Sequence, residues 1–264
     1  MAPTKETPYT QILYLNIPAE KDLNDPTVAA GHSWSRALDV IEQQQGFIRL
    51  SWGRSPEDRT NVQLQTGRSP AVQWISSPTL RQMNDSCYCT RIDKKLNTVR
   101  TELAQHRNFL YSAAYDQFLS LVKPLLRPNA PAPFARHVRL THFTPDRPSP
   151  VSPSSPVTGS AIYVSTDATW HEGAWPLWTH IVRHVSGCVG IAGGELLEEV
   201  DGHMRCYLVY VGWESIEKHE EYHHTEHFAK RRIVLGLGNK GYREYAHMKF
   251  EGERIGPIGT AAKL

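Results

Sequence analysis

The chain has 264 residues and a formal charge of +2, with 29 basic and 27 acidic side chains interspersed along it. That length suffices for one large domain or two of roughly 100 residues, either able to bury a core. The scattered, nearly balanced charge offers neither a basic stripe for nucleic acid nor a polybasic face for a membrane, so neither partner is expected.

The N-terminal MAPTKETPYTQ has no apolar run of the signal-peptide kind, and nowhere do eighteen consecutive apolar residues occur. The expectation is a soluble, cytoplasmic protein. Cys87, Cys89, Cys188 and Cys206 form no C-x-x-C pair. They are expected as reduced, mostly buried thiols, with no disulfide framework and no thiolate zinc site.

In chain order the first half predicts a strand TQILYLNIP from Thr10, a helix HSWSRALDVIEQQQG closed by Gly46, and strands FIRLSWGR from Phe47 and TNVQLQ from Thr60. A second helix, RTELAQHRNFLYSAAYDQFLSLV, runs from Arg100, and a last strand, FARHVRLTHF, ends at Phe143. Short β-branched and aromatic runs bounded by Gly mark the strands, and three-to-four spacing of apolar residues marks the helices.

Residues 144–160, TPDRPSPVSPSSPVTGS, are so rich in Pro and Ser that they are expected as an extended, exposed linker. Beyond it the pattern repeats. A strand SAIYVST from Ser160 leads to a helix AWPLWTHIVRHVSG ending at Gly187. Strands GGELLEEVDG and MRCYLVYVGW follow, joined by an Asp201-Gly202 turn, then a helix SIEKHEEYHHTEHFAKRRIVL and a strand YREYAHMKF ending at Phe250. Both halves therefore read β-α-β-β-α-β, giving an α+β unit over 1–143, a second over 161–250 and a C-terminal tail over 251–264.

Gly46 matches Gly187, 141 residues on, and His106 matches His219, 113 residues on, so the first half carries 28 extra residues. The surplus sits at about 66–98. A loop this long inside a compact unit is read as a lid, a disordered segment or an untranslated stretch read through.

Four histidines, His219, His223, His224 and His227, fall within nine residues of the second helix and include the string H-E-x-x-H. On one continuous helix His219, His223 and His227 form a single stripe, drifting about 40° per step. Zinc chemistry would require a third ligand from elsewhere. No such motif follows, and the companion helix keeps only His106, with Leu110 and Ala114 opposite the other two. No metal is expected; Glu220, Glu221, His224 and Glu226 are read as a solvated face.

The stretch VGWESIEKHEEYHHTEHFAK resembles the strand-to-helix signature of the dimeric α+β barrel superfamily, in its antibiotic-biosynthesis-monooxygenase-like branch. The resemblance rests on Trp213, Glu214, Ser215, His219, His227 and Phe228. In the first half Arg100 stands where Trp213 would repeat. The resemblance implies two ferredoxin-like units joined by the Pro-rich segment into an intramolecular, pseudo-dimeric barrel, with further homodimerisation compatible. It also implies an apolar pocket between sheet and helices, in a superfamily of oxygenases, haem-degrading enzymes, decarboxylases, dehydratases and cyclases. Fold alone does not select among these.

The side chains narrow the chemistry. Trp178, Ile181 or Val182, and Val185 make an apolar stripe on the first helix of the second half, with His180 and His184 beside it. Tyr163, Tyr207 and Tyr210 alternate with aliphatic residues on the strands. Trp178, Tyr163 and Tyr210, with Trp213, Tyr222 and Phe228 and the flanking His180 and His184, are the expected binding set for a small hydrophobic or aromatic substrate.

A neutral His could remove an acidic proton from a phenol or anthrone and leave a carbanion that reacts with oxygen without a cofactor. His219 is the first choice of base, with His223, His227, His180 and His184 behind it. A cyclase, dehydratase or decarboxylase would use the same pocket, haem breakdown would need an axial His, and a binding protein would need no His. No G-x-S-x-G elbow occurs, and Gly236 and Gly238 lack the setting of a dinucleotide loop.

Overall fold

The computed structural model describes residues 9–44, 46–68 and 109–256. Arg100, His106, Cys87, Cys89 and nearly all of the expected insertion at 66–98 lie outside the described residues. The first half contributes β1 (Thr10–Asn16), α1 (Ala29–Glu42), β2 (Phe47–Arg54), β3 (Asn61–Arg68), α2 (Ala113–Val122), β4 (Phe134–Val138) and β5 (Thr141–His142). The second contributes β6 (Val157–Tyr163), α3 (Trp175–Val182), β7 (Cys188–Glu195), β8 (Tyr207–Trp213), α4 (Ile216–His223), α5 (Glu226–Arg231) and β9 (Tyr242–Ile255). No described helix is long and apolar enough to cross a membrane.

The fold is mixed α+β. Among the described residues nine strands form one antiparallel sheet in the order β4-β1-β3-β2-β9-β6-β8-β7-β5, so β4-β1-β3-β2 is answered by β9-β6-β8-β7. Two segments tie the halves together. The first part of β9 pairs with β6 and its end pairs with β2. Residues 134–142 bring the two edges of the sheet to each other: β4 pairs with β1 and β5 with β7, and between them the Leu197 N–H donates to the His137 carbonyl at 3.0 Å. With its edges joined, the sheet exposes little unpaired backbone.

Period-two alternation then sorts the side chains into three cores. Ile12, Val138, Ile162, Leu208, Met248 and Phe250 fill the inner face of the sheet. Outward residues of the first half pack on Trp34, Leu38 and Ile41 of α1 and Phe118 and Val122 of α2. Those of the second half pack on Trp175, Trp178 and Val182 of α3 and Tyr222 of α4.

Four expectations need correction. Residues 144–160 are not an exposed linker: Thr144, Val151, Ser152 and Ser155 are buried, and β6 begins at Val157. Proline does prevent a helix here, but hydroxyls meet the backbone, as where Thr144 Oγ1 accepts the Ile191 N–H at 2.9 Å. The tail from 251 begins as strand, since β9 continues to Ile255 along β2. The strand expected from Gly193 starts at Cys188 instead, although Asp201 and Gly202, at φ +50° and +74°, do form a tight turn between Val200 and His203.

The fourth concerns the second helix, which is broken. Thr225 adopts an extended conformation and its Oγ1 accepts the Phe228 N–H at 3.1 Å, capping a new helix, α5. The helical phase is reset there, so His227 leaves the stripe of His219 and His223.

Candidate active site

A cavity of about 550 Å³ lies between β6, β8 and β9 on one side and α3, α4 and α5 on the other. Its size is in the range of small-molecule sites. Trp178, Tyr222 and Phe228 form one aromatic wall, with ring centroids 5.3–6.4 Å apart. Tyr163, Val209 and Val211 supply the sheet side.

His219 is a buried polar group of the cavity. Ser215 caps α4 by accepting the Lys218 N–H at 3.2 Å, and this fixes the turn that carries His219 inward, where it is 7% exposed. Its ring stacks on Trp213, with centroids 4.6 Å apart and planes 16° from parallel. Its Cε1 also meets Gly159 of β6, where an added β-carbon would lie 2.9 Å from that atom.

Its hydrogen bonds set its tautomer. Glu57, on the loop after β2, contacts His247 Nδ1, and its other oxygen accepts the His247 backbone N–H at 3.3 Å. A carboxylate only accepts, so Nδ1 of His247 carries a proton, and with that single proton on the ring Nε2 is an acceptor. His247 Nε2 stands 2.9 Å from His219 Nδ1, which therefore donates. Nε2 of His219 is left with its lone pair and has no hydrogen-bond partner among the described residues.

The electrostatics agree with this assignment. Burial, with His223 and His247 adding to it, pushes His219 down to about 3, so the ring is neutral near pH 7. Burial acts in the opposite sense on Glu57, but hydrogen bonds from His247 and Ser55 prevail and hold its carboxyl below the usual range. Burial raises Tyr222 and Tyr245 to about 12, so both are O–H donors.

A bulge in β9 sets the register of the site. Ser160 pairs with Ala246 but Ile162 pairs with Arg243, leaving an extra residue on β9. Glu244 takes the left-handed conformation at φ +53° and receives a bidentate contact from Arg136 of β4, 2.6 Å on one arm. Tyr242 and Tyr245, three residues apart, thereby face the same cavity as His247. The Tyr245 hydroxyl lies 3.4 Å from His219 Nδ1.

Of the residues expected from sequence, the structure brings His219, His223, Trp213, Tyr222, Trp178, Tyr163 and Phe228 to this cavity. It does not bring four others. Tyr210 points to the inner face of the sheet, where its hydroxyl receives a 2.9 Å hydrogen bond from Gln65. His180, on the exposed side of α3, and His184, in the turn after it, pair with each other at 5.4 Å between centroids. His227, moved by the helix break, is exposed and 3.2 Å from the Tyr222 hydroxyl.

Sequence reasoning missed Glu57, Gly159, Tyr245 and His247. Tyr245 and His247 were discoverable, being two apart on a strand and so on one face. Glu57 sits in the turn SPEDRT of the other half and carries no local signal. Among the described residues no three His, Cys, Asp or Glu are grouped to hold a metal ion.

No family model matches the chain, and no curated protein matches it in sequence. Solved structures do resemble it. An anthrone oxidase-like protein aligns over 98% of both chains at 11% identity with a TM-score of 0.59. A candidate monooxygenase from Lactobacillus acidophilus aligns over 95% of this chain and 97% of its own, at 10% identity and a TM-score of 0.51. One from Fusobacterium nucleatum aligns over 94% of each, at 8% identity and a TM-score of 0.51. At these identities the likeness is one of fold.

Proposed function

We propose that the chain is two ferredoxin-like units paired into one barrel, and that its second half oxidises a phenolic or anthrone-like substrate with dioxygen, without a cofactor. One observation carries the reading: an unpaired imidazole nitrogen, Nε2 of His219, is presented to an aromatic-walled cavity with its tautomer fixed from behind. The anthrone oxidase-like and monooxygenase names of the structural neighbours are consistent with it.

The chemistry needs little else. His219 removes the acidic proton of the bound substrate, and the resulting electron-rich anion transfers electrons to dioxygen. Bond formation between the two gives a hydroperoxide, which loses water to leave a carbonyl. Trp178, Tyr222 and Phe228 hold the flat ring system, and Tyr O–H groups donate to the developing oxyanion.

Tyr245 beside His219 supports a second reading, because an acid and a base on one substrate also suit dehydration or cyclisation. Oxygen uptake by metal-free, flavin-free protein over a panel of anthrones and quinols separates the two. Uptake with an oxygen atom added to the product is expected. Conversion without uptake establishes the cyclase or lyase, and binding without conversion establishes a ligand-binding protein.

A further inference from the structure

We infer that Glu57, His247 and His219 form a proton relay across the two halves of the chain, with His247 as the group that stores the substrate's proton. The inference rests on the reading of His219 as the base and extends it to two residues outside the second-half helices. Glu57 arrives from the loop after β2 and His247 from β9, the strand that both halves share.

The geometry defines each transfer. A proton from the substrate binds Nε2 of His219. The proton already on His219 Nδ1 crosses 2.9 Å to Nε2 of His247, whose Nδ1–H stays on the Glu57 carboxylate. His219 ends neutral with its tautomer exchanged, His247 ends as an imidazolium facing a carboxylate, and the substrate is left as the anion. After the anion has given its electrons to dioxygen, the proton returns by the same path to the peroxide oxygen.

The relay explains how so buried an imidazole can serve as a base. A cation on His219 would be buried against Trp213, with His223 4.5 Å away between ring centroids, the neutral His247 ring and Tyr245 hydroxyl beside it, and no ion pair to a carboxylate among the described residues. Moved one ring further, the same charge meets Glu57, whose side chain is half exposed and held by Ser55 at 2.8 Å. Glu57 is thus a positioning and charge-compensating residue acting through His247.

The test uses the full chain and Glu57→Gln, which keeps the shape of the side chain and removes its charge. Nitrogen-15 NMR of histidine-labelled protein, without substrate, is expected to show His219 protonated at Nδ1 and bare at Nε2. It is also expected to show a downfield His247 Nδ1–H that moves upfield in the variant. Turnover of the variant is expected to fall about a hundredfold or more in kcat with KM nearly unchanged, and the acid limb of its pH profile to move to lower pH. A His219 proton on Nε2, or a variant with unaltered kcat and limb, overturns the relay. If no anthrone or quinol is turned over by the wild type, the oxidase reading fails while the NMR result still decides the relay.

Discussion

Gly159 of β6 lies against the imidazole of His219, so close that a β-carbon there would come within 2.9 Å of Cε1. Together with stacking on Trp213 and the 2.9 Å contact to His247, this close approach clamps the histidine. Gly159→Ala is therefore expected to displace the ring by several tenths of an ångström. A misplacement of about 1 Å costs on the order of a hundredfold in rate, so a smaller loss of turnover is expected here, and overpacking a filled site costs about 1–3 kcal/mol. Turnover and Tm measured together check both; a variant with wild-type turnover would show that the clamp does not set the base.

Acid should destabilise the protein through His219. Its folded-state value of about 3 lies below the ordinary histidine value, so the unfolded chain binds the extra proton first as pH falls. Above about pH 6.5 the residue makes no contribution to the slope; below it stability declines progressively until pH nears 3. By pH 4 the loss is roughly 3 kcal/mol from this residue. Urea unfolding from pH 7 to pH 4 is expected to show a shallower decline in His219→Asn than in the wild type.

The parts that were legible in the sequence are those set by local pattern. The run FIRLSWGR at Phe47–Arg54 became β2 without change, and Trp213 followed by Ser215 and His219 gave the strand end, cap and buried histidine in the right order. What was not legible depends on pairing between the halves. Nothing local says that β9 continues past Phe250 onto β2, or that β4 and β5 reach opposite edges of the sheet. Glu57 is invisible for the same reason, since only the closed sheet brings its loop to His247. The helix break is readable in principle, since Thr225 stands three residues before Phe228, as a capping residue does, but the apolar spacing runs unbroken across it and masks the cap.

The histidines separate into those that touch the cavity and those that do not. His180→Ala, His184→Ala and His227→Ala are expected to leave kcat/KM within about twofold, as exposed substitutions away from the chemistry usually do. His219→Ala is expected to lower kcat on the order of a hundredfold or more. Equal losses across the four would mean that the reaction is elsewhere.

Thr225 offers a way to alter the cavity without touching its polar groups. Its hydroxyl accepts the Phe228 N–H at 3.1 Å and donates to the Tyr222 carbonyl at 2.7 Å, so one side chain ends α4 and starts α5. Phe228, held by that cap, completes the aromatic wall 6.1 Å from Trp178 and 5.3 Å from Tyr222. Thr225→Ala removes the cap, at about 1 kcal/mol of stability, and frees α5 to rejoin α4 as one helix, which would turn Phe228 out of the wall. The expected result is a Tm lower by a few degrees and weaker binding of planar aromatic ligands, read from quenching of Trp fluorescence, with kcat changed less than KM. Thr225→Ser, which keeps the hydroxyl, is expected to restore both; failure of Ser to restore ligand binding would show that the wall is set by packing of the threonine methyl and not by the cap.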